Sequence, residues 1–415
     1  MTTPIVSSED RRILRDLAHR VAEIAARPEM RERRDEWVRH NRMAPGRPMI
    51  YIGPEGAWGE LVPASALKCR DEQARGAEWR LRAKIHEFEH FASDNVVDNR
   101  WTVHKVIHDS GWGLERKWRP SPQADRGAMG FEPVLLAPSD LKKLRIPRIE
   151  YDEAATQRDL DWAQEVLGDI LAVTLKGRDR MDYHLFNQYS GWRGLDQALL
   201  DLCDNPSLVH DAMAFLEAAH RDLLRQYIAQ NLLGLNNDHT DIYTSGYGYS
   251  DELPQRDWDG THVRPGDVWN WAEAQEMAVV SPAMHHEFVF AYEKRLLEPF
   301  GLNGYGCCDD LTLKLDFVLT IRNLRRVSIC PWSDVEACAR QLGNRVIFMW
   351  KPQPAHLVGT FNADMVRRYL RRTMDAAHAH GCVLELALLD THTCEHHPER
   401  FDQWSQIAHE EAEQR

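Results

Sequence analysis

Short apolar runs recur along this chain, separated by long amphipathic stretches, and that alternation narrows the available folds more than any other feature. The runs are 48–53 (PMIYIG), 182–188 (DYHLFNQ), 232–235 (LLGL), 267–271 (DVWNW), 302–307 (LNGYGC), 325–330 (RRVSIC), 346–350 (VIFMW) and 383–389 (VLELALL). Helical patterns occupy 204–233, 281–300, 333–342 and 362–380. Several carry start signals: Asp204 and Asn205 before Pro206, Ser333 before acids, and Asn362. Strand alternating with helix implies parallel pairing through crossovers. Eight such repeats close a barrel, whereas five or six suit an open sheet. The expected fold is therefore α/β, a (β/α)8 TIM-type barrel over 47–415. A helical extension, 1–46, precedes it and is divided by Pro28. A long insertion, about 54–181, follows the first strand.

Composition excludes several roles. The formal charge of -13 argues against nucleic acid, whose phosphates demand clustered Lys and Arg. No apolar run is long enough to span a bilayer, and Met1 to Arg20 has no apolar leader core, so a cytoplasmic protein is expected. Eight cysteines in such a chain are expected as thiols rather than as a disulfide scaffold. No phosphate-binding glycine loop is present; the glycines of GYGYS (246–250) lack the following helix.

In a (β/α)8 barrel the site forms from residues just past each strand. Those residues are Asn236, Asn237, Asp238 and His239; Glu273 and Gln275; Cys307, Cys308, Asp309 and Asp310; Cys330; Lys351; and Asp390, His392 and Cys394. Cysteines thus gather at the ends of the last strands. Thiolates and imidazoles suit zinc, and Cys307, Cys394, His392 and Cys308 are the candidate ligands. A free cysteine also behaves as a small buried hydrophobe, which is the expectation for Cys69, Cys203, Cys338 and Cys382. Lys351, between a strand and Pro352, points at the barrel mouth, where burial would lower its pKa. An ion pair with Asp390 or Asp309 is the plainer alternative.

At these residues the chain resembles the uroporphyrinogen decarboxylase superfamily over roughly 45–410, and in particular its corrinoid methyltransferase branch. NGYGCC (303–308) is similar to the segment carrying a His-x-Cys zinc motif, with Tyr305 at the histidine position. THTCEHHPERFDQW (391–404) is similar to the later segment with a ligand cysteine. The resemblance implies Cys307 and Cys394 as zinc ligands, with His392, Cys308 or Cys330 completing the shell, and a homodimer. IGPEGAWGEL (52–61) has no arginine where the porphyrinogen decarboxylases carry several, so haem synthesis is disfavoured.

The function expected is a zinc-dependent methyltransferase. It moves a methyl group between a small-molecule donor and a thiol, or a corrinoid carried by a partner protein. Lys351, Glu273, Asp238 and Asp98 are its candidate catalytic residues. Asn237, Trp58, Trp271 and Tyr305 are its candidate substrate contacts, and the tryptophan-rich insertion suits a flat or apolar ligand. Two alternatives stay open: a metal-free decarboxylase or lyase dependent on Asp98 or Lys351, and a barrel that binds without catalysing.

Overall fold

The computed structural model describes residues 6–119 and 130–415. Its strands, in chain order, are β1 (Met49–Ile52), β2 (Arg100–His104), β3 (Ile107–Asp109), β4 (Lys117–Arg119), β5 (Gly130–Glu132), β6 (Ile149–Tyr151), β7 (Ala172–Lys176), β8 (Trp269–Ala272), β9 (Leu302–Tyr305), β10 (Leu324–Ile329), β11 (Ile347–Trp350) and β12 (Val383–Leu388). β1 and β8 to β12 form a six-stranded sheet in the order β1-β12-β11-β10-β9-β8, every pair parallel. Helices such as Val335–Leu342 and Ala363–Ala379 make the crossovers. Both faces of these strands are covered, which is why β1 and β11 read as unbroken apolar runs.

The architecture is TIM-like, and its hydrogen-bonded ladder runs through these six strands. Two expected strands, 182–188 and 232–235, do not form. Each contributes one isolated parallel bridge, Tyr183 to Ala272 and Leu233 to Arg178, and Leu185–Arg193 is helical. On this side asparagine amides do the work of backbone pairing. Asn95 Oδ1 accepts from the Ile52 amide while its Nδ2 donates to the Ile52 carbonyl. Asn236 embraces Trp269 in the same way, and Asn270 Oδ1 accepts from the Met181 and Asp182 amides. Buried backbone groups must be paired, and here side chains pair them.

Inside the sheet, Trp269, Trp271, Leu302, Ile347, Met349, Ala387 and Leu389 pack with Ile242. Trp271 lies over Gly304, where a Cβ would collide with its ring, and its indole donates to the Gly306 carbonyl. A wholly buried ion pair, Arg326 Nε to Glu385 Oε2 at 3.1 Å, crosses the interior. It anchors the 245–247 loop through Ser245 Oγ and the Gly246 amide.

The expected N-terminal helices are present as Ser8–Ala25, capped by Ser7, and Pro28–Asn41, opened by Pro28. Leu14, Val21 and Ile24 share a second core with Leu81, Val97, Trp101, Trp162 and Leu167. The first helix is therefore packed on elements of the 54–181 segment. Among the described residues no helix is long and apolar enough to cross a membrane.

Candidate active site at the strand ends

β9 ends at Tyr305, and Gly306 turns the chain with a φ of +95°, a conformation glycine enters without a Cβ penalty. Successive residues of a strand point to opposite faces. Past this turn Cys307 and Cys308 instead point together, their Sγ atoms 3.4 Å apart. Lys351, at the end of β11, brings its Nζ within 3.4 Å of Cys307 Sγ, 3.6 Å of Cys308 Sγ and 3.1 Å of Asp390 Oδ2. Asp390, just past β12, also lies 3.6 Å from Cys308 Sγ. Three strand ends thus place two sulfurs and a carboxylate around one ammonium.

The electrostatics follow from that arrangement. Burial alone would lower the Lys351 pKa, as the sequence suggested. The outcome is the reverse, because Cys307, Asp390 and Cys308 outweigh the desolvation and raise it. The ammonium is held charged, and the plainer expectation of an Asp390 ion pair describes it. The thiol pair shares its proton unevenly. The contact with Cys307, helped by Lys351, lowers the Cys308 pKa, while the same contact and burial raise that of Cys307. Cys308 is the half-buried member and Cys307 the buried one.

A wall of polar groups continues from the thiols. Burial, then the neighbouring Glu273 and Cys307, pushes the Tyr243 pKa well up, and the Tyr243 ring meets His184 at 4.8 Å and Trp271 at 5.9 Å. His184 Nδ1 lies 3.6 Å from Glu273 Oε1. Burial, then the neighbouring Glu276, pushes the Glu273 pKa well up. Burial pushes Asp182 up to about 6 and pulls His184 down to about 4. Asp182 Oδ1, His184 Nε2, Glu276 Oε2 and Asp309 Oδ2 are buried with no hydrogen-bond partner among the described residues. Such atoms are costly unless something pairs them. Asp182, Tyr243 and Asp390 adopt positive φ (36°, 56° and 57°), and sparsely populated backbone of this kind gathers at functional sites. Sequence had singled out Glu273, Lys351 and the cysteines. It had not singled out His184, Tyr243 or Asp182, whose contacts depend on the irregular side of the sheet.

The other candidates have other partners. Cys394 donates to Glu60 Oε2 at 3.1 Å, and burial followed by this carboxylate pushes its pKa up to about 11. His392 stands against the turn at Gly56. Among the described residues no three His, Cys, Asp or Glu side chains are gathered as metal ligands. The expected zinc set of Cys307, Cys394, His392 and Cys308 therefore does not fit the group: the cation among the sulfurs is Lys351. Tyr305 is buried below the site, bonded to His285 and Glu293.

Asp98 and Asp238 belong to a separate ion network. Lys84 Nζ is 3.0 Å and His239 Nδ1 2.9 Å from Asp98, while Lys176 and Arg100 hold Asp238 at 3.1 and 3.2 Å. Burial would raise both pKa values, but these partners hold them below the usual carboxylate range. Asn237 donates to the Ser250 and Leu253 carbonyls, and Trp58 packs on Trp79, His86 and Phe91. The insertion's aromatics do not form one wall, since Trp101 stacks on Arg80 and Trp118 on Phe131. Cys69 and Cys338 are buried as expected, Cys382 is half-buried, and Cys203 is exposed. Surface clefts, such as that lined by Arg27, Arg31, Arg34, Asp98 and Tyr249, open elsewhere; chemistry rather than concavity marks the thiol site.

No family model matches this sequence, and no curated protein matches it. Among 22 matching chains of solved structures is a methyltransferase from Methanosarcina mazei. It is 8% identical, with a TM-score of 0.51, over 91% of this chain and 98% of that one. The likeness is one of fold.

Proposed function

We propose that this chain is a methyl-group transferase whose reactive group is the Cys308 thiolate, with Lys351 as the cation that stabilises it. The observation that carries the proposal is the ammonium clasped between two sulfurs and Asp390 at the ends of β9, β11 and β12. A cation beside a thiol favours the thiolate, which is the nucleophilic form. The fold shared with a solved methyltransferase is consistent with this class of chemistry.

In the first half-reaction Cys308 Sγ attacks the methyl carbon of a small-molecule donor. A sulfur–carbon bond forms, and the bond to the donor's heteroatom breaks, its electron pair leaving with the heteroatom. In the second half-reaction an acceptor thiolate attacks that methyl carbon, and Cys308 departs as thiolate beside Lys351. Lys351 stabilises the sulfur in both directions. Glu273, whose pKa burial raises and which lies next to His184, donates a proton to the leaving heteroatom where that group needs one. The corrinoid acceptor that the resemblance implies would arrive on a separate protein, and no step here depends on it. No step of this reading runs through zinc, since among the described residues Cys307, Cys308, Cys394 and His392 are not gathered as its ligands.

The test is the mass of the intact protein after incubation with methyl-sulfonium, methyl-ammonium and methyl-ether donors, followed by peptide mapping. One methyl group on Cys308, absent from Cys308→Ser and retained in Cys394→Ala, is the expected result. Turnover that survives Cys308→Ser, with no methyl on the thiol, overturns the proposal.

A further inference from the structure

The turn at Gly306 does more than present one nucleophile. It brings adjacent cysteines side by side, and the pair differs in access: Cys308 is half-buried and Cys307 is 4% exposed. Their sulfurs, 3.4 Å apart, need to close by roughly 1.4 Å to reach a disulfide bond length. Redox-responsive cysteines share three features: an accessible sulfur, a stabilised thiolate, and a second thiol in reach to resolve the first oxidation product. Cys308 has the access and the ammonium, and Cys307 is the second thiol. The other cysteines of the strand ends are occupied elsewhere, Cys330 with Ser333 and Cys394 with Glu60.

We infer that Cys307 and Cys308 form a reversible modification site, a vicinal dithiol that peroxides oxidise to a disulfide, switching the site off. The Cys308 thiolate attacks one peroxide oxygen; the O–O bond breaks, hydroxide leaves, and Cys308 becomes a sulfenic acid. Cys307 Sγ then attacks Cys308 Sγ. The S–S bond forms, the S–O bond breaks, and the Cys307 proton leaves with the hydroxyl as water. Two electrons pass from the sulfurs to the peroxide, and a dithiol reductant returns them. Oxidation removes the nucleophile and leaves Lys351 paired with Asp390 alone. The regulatory consequence rests on the proposed function, whereas the chemistry of the pair does not.

The experiment treats the full chain with hydrogen peroxide and follows intact mass, free-thiol count, and dimedone labelling of sulfenic acid. The parent is expected to lose two thiols, to show the 307–308 disulfide on peptide mapping, and to recover both thiols with dithiothreitol. Cys307→Ser should halt at a dimedone-labelled Cys308, and Cys308→Ser should show neither product at this pair. Phenylarsine oxide, which bridges neighbouring thiols, should bind the reduced parent and protect it from peroxide. Circular dichroism of both serine variants checks folding, and arsenical binding by the parent provides a test that needs no variant. Equal dimedone labelling of parent and Cys307→Ser, or failure of the parent to bind the arsenical, overturns the inference. A disulfide without methylation removes the proposed function alone; methylation without a disulfide removes this inference alone.

Discussion

Replacing Asp182 by asparagine takes one ionisable group out of the wall of the site while keeping its size. The side chain is 17% exposed, and Arg180 Nε lies 3.4 Å from its carboxylate. Burial, opposed by that arginine, moves its pKa from 3.8 up to about 6. The difference corresponds to ~3 kcal/mol, at roughly 1.4 kcal/mol for each tenfold in proton affinity. The sign follows from linkage: a carboxyl that holds its proton more tightly when folded contributes stability fully present below pH 3.8 and lost as the pH rises through about 6. At higher pH the ionised carboxylate is a cost, and Asp182→Asn removes it. Asparagine also tolerates the residue's φ of 36° as aspartate does. Urea unfolding should show the variant ~1–3 kcal/mol more stable than the parent at about pH 8, with the gain vanishing near pH 4. No gain at the higher pH, or a gain that persists at the lower, would refute the argument that this group ionises against a burial penalty.

Three further outcomes are expected. Lys351→Met should slow alkylation of Cys308 by iodoacetamide at neutral pH several-fold, because the charge that favours the thiolate is gone; an unchanged rate counts against Lys351 as its stabilising cation. Gly304→Ala drives a methyl group into the Trp271 ring and should cost ~1–3 kcal/mol of stability, as overpacking does, measured by denaturant unfolding. Arg326→Met should destabilise the chain by ~3–5 kcal/mol, since it strands a buried charge on Glu385. The pair Arg326→Met with Glu385→Leu should cost less than that single change, and a double-mutant cycle measures the difference.

The fold was legible where burial on both faces wrote an apolar run, and illegible where polar side chains replaced the backbone ladder. VIFMW and VLELALL announce β11 and β12 because every residue of those strands meets either the interior or a helix. DYHLFNQ places Tyr183, Leu185 and Phe186 among polar neighbours, and only Tyr183 pairs while the residues from Leu185 turn into a helix. Periodicity cannot separate the two over so short a run. β7 was missed for the opposite reason: AVTLK is part polar, and it pairs with β2 rather than with the central sheet. The asparagines at 95, 236 and 270 look like loop residues in the sequence, and their part in pairing backbone groups at the sheet's two edge strands depends on contacts far along the chain.

The site shows the same division between position and partner. Strand-end position was enough to single out Cys307, Cys308, Lys351 and Asp390, because the ends of parallel strands converge whatever else the chain does. Position does not say which of several sulfurs and acids will meet. Cys307 and Cys394 both sit past strand ends, yet Glu60, from the segment after β1, takes Cys394. The Lys351 expectation failed in sign for a related reason. Burial acts on a lysine considered alone and lowers its pKa; two sulfurs and a carboxylate brought from β9 and β12 act on it together and raise it. Here the chain supplies its own cation, tethered to a strand end, and two sulfurs and the Asp390 carboxylate gather on it.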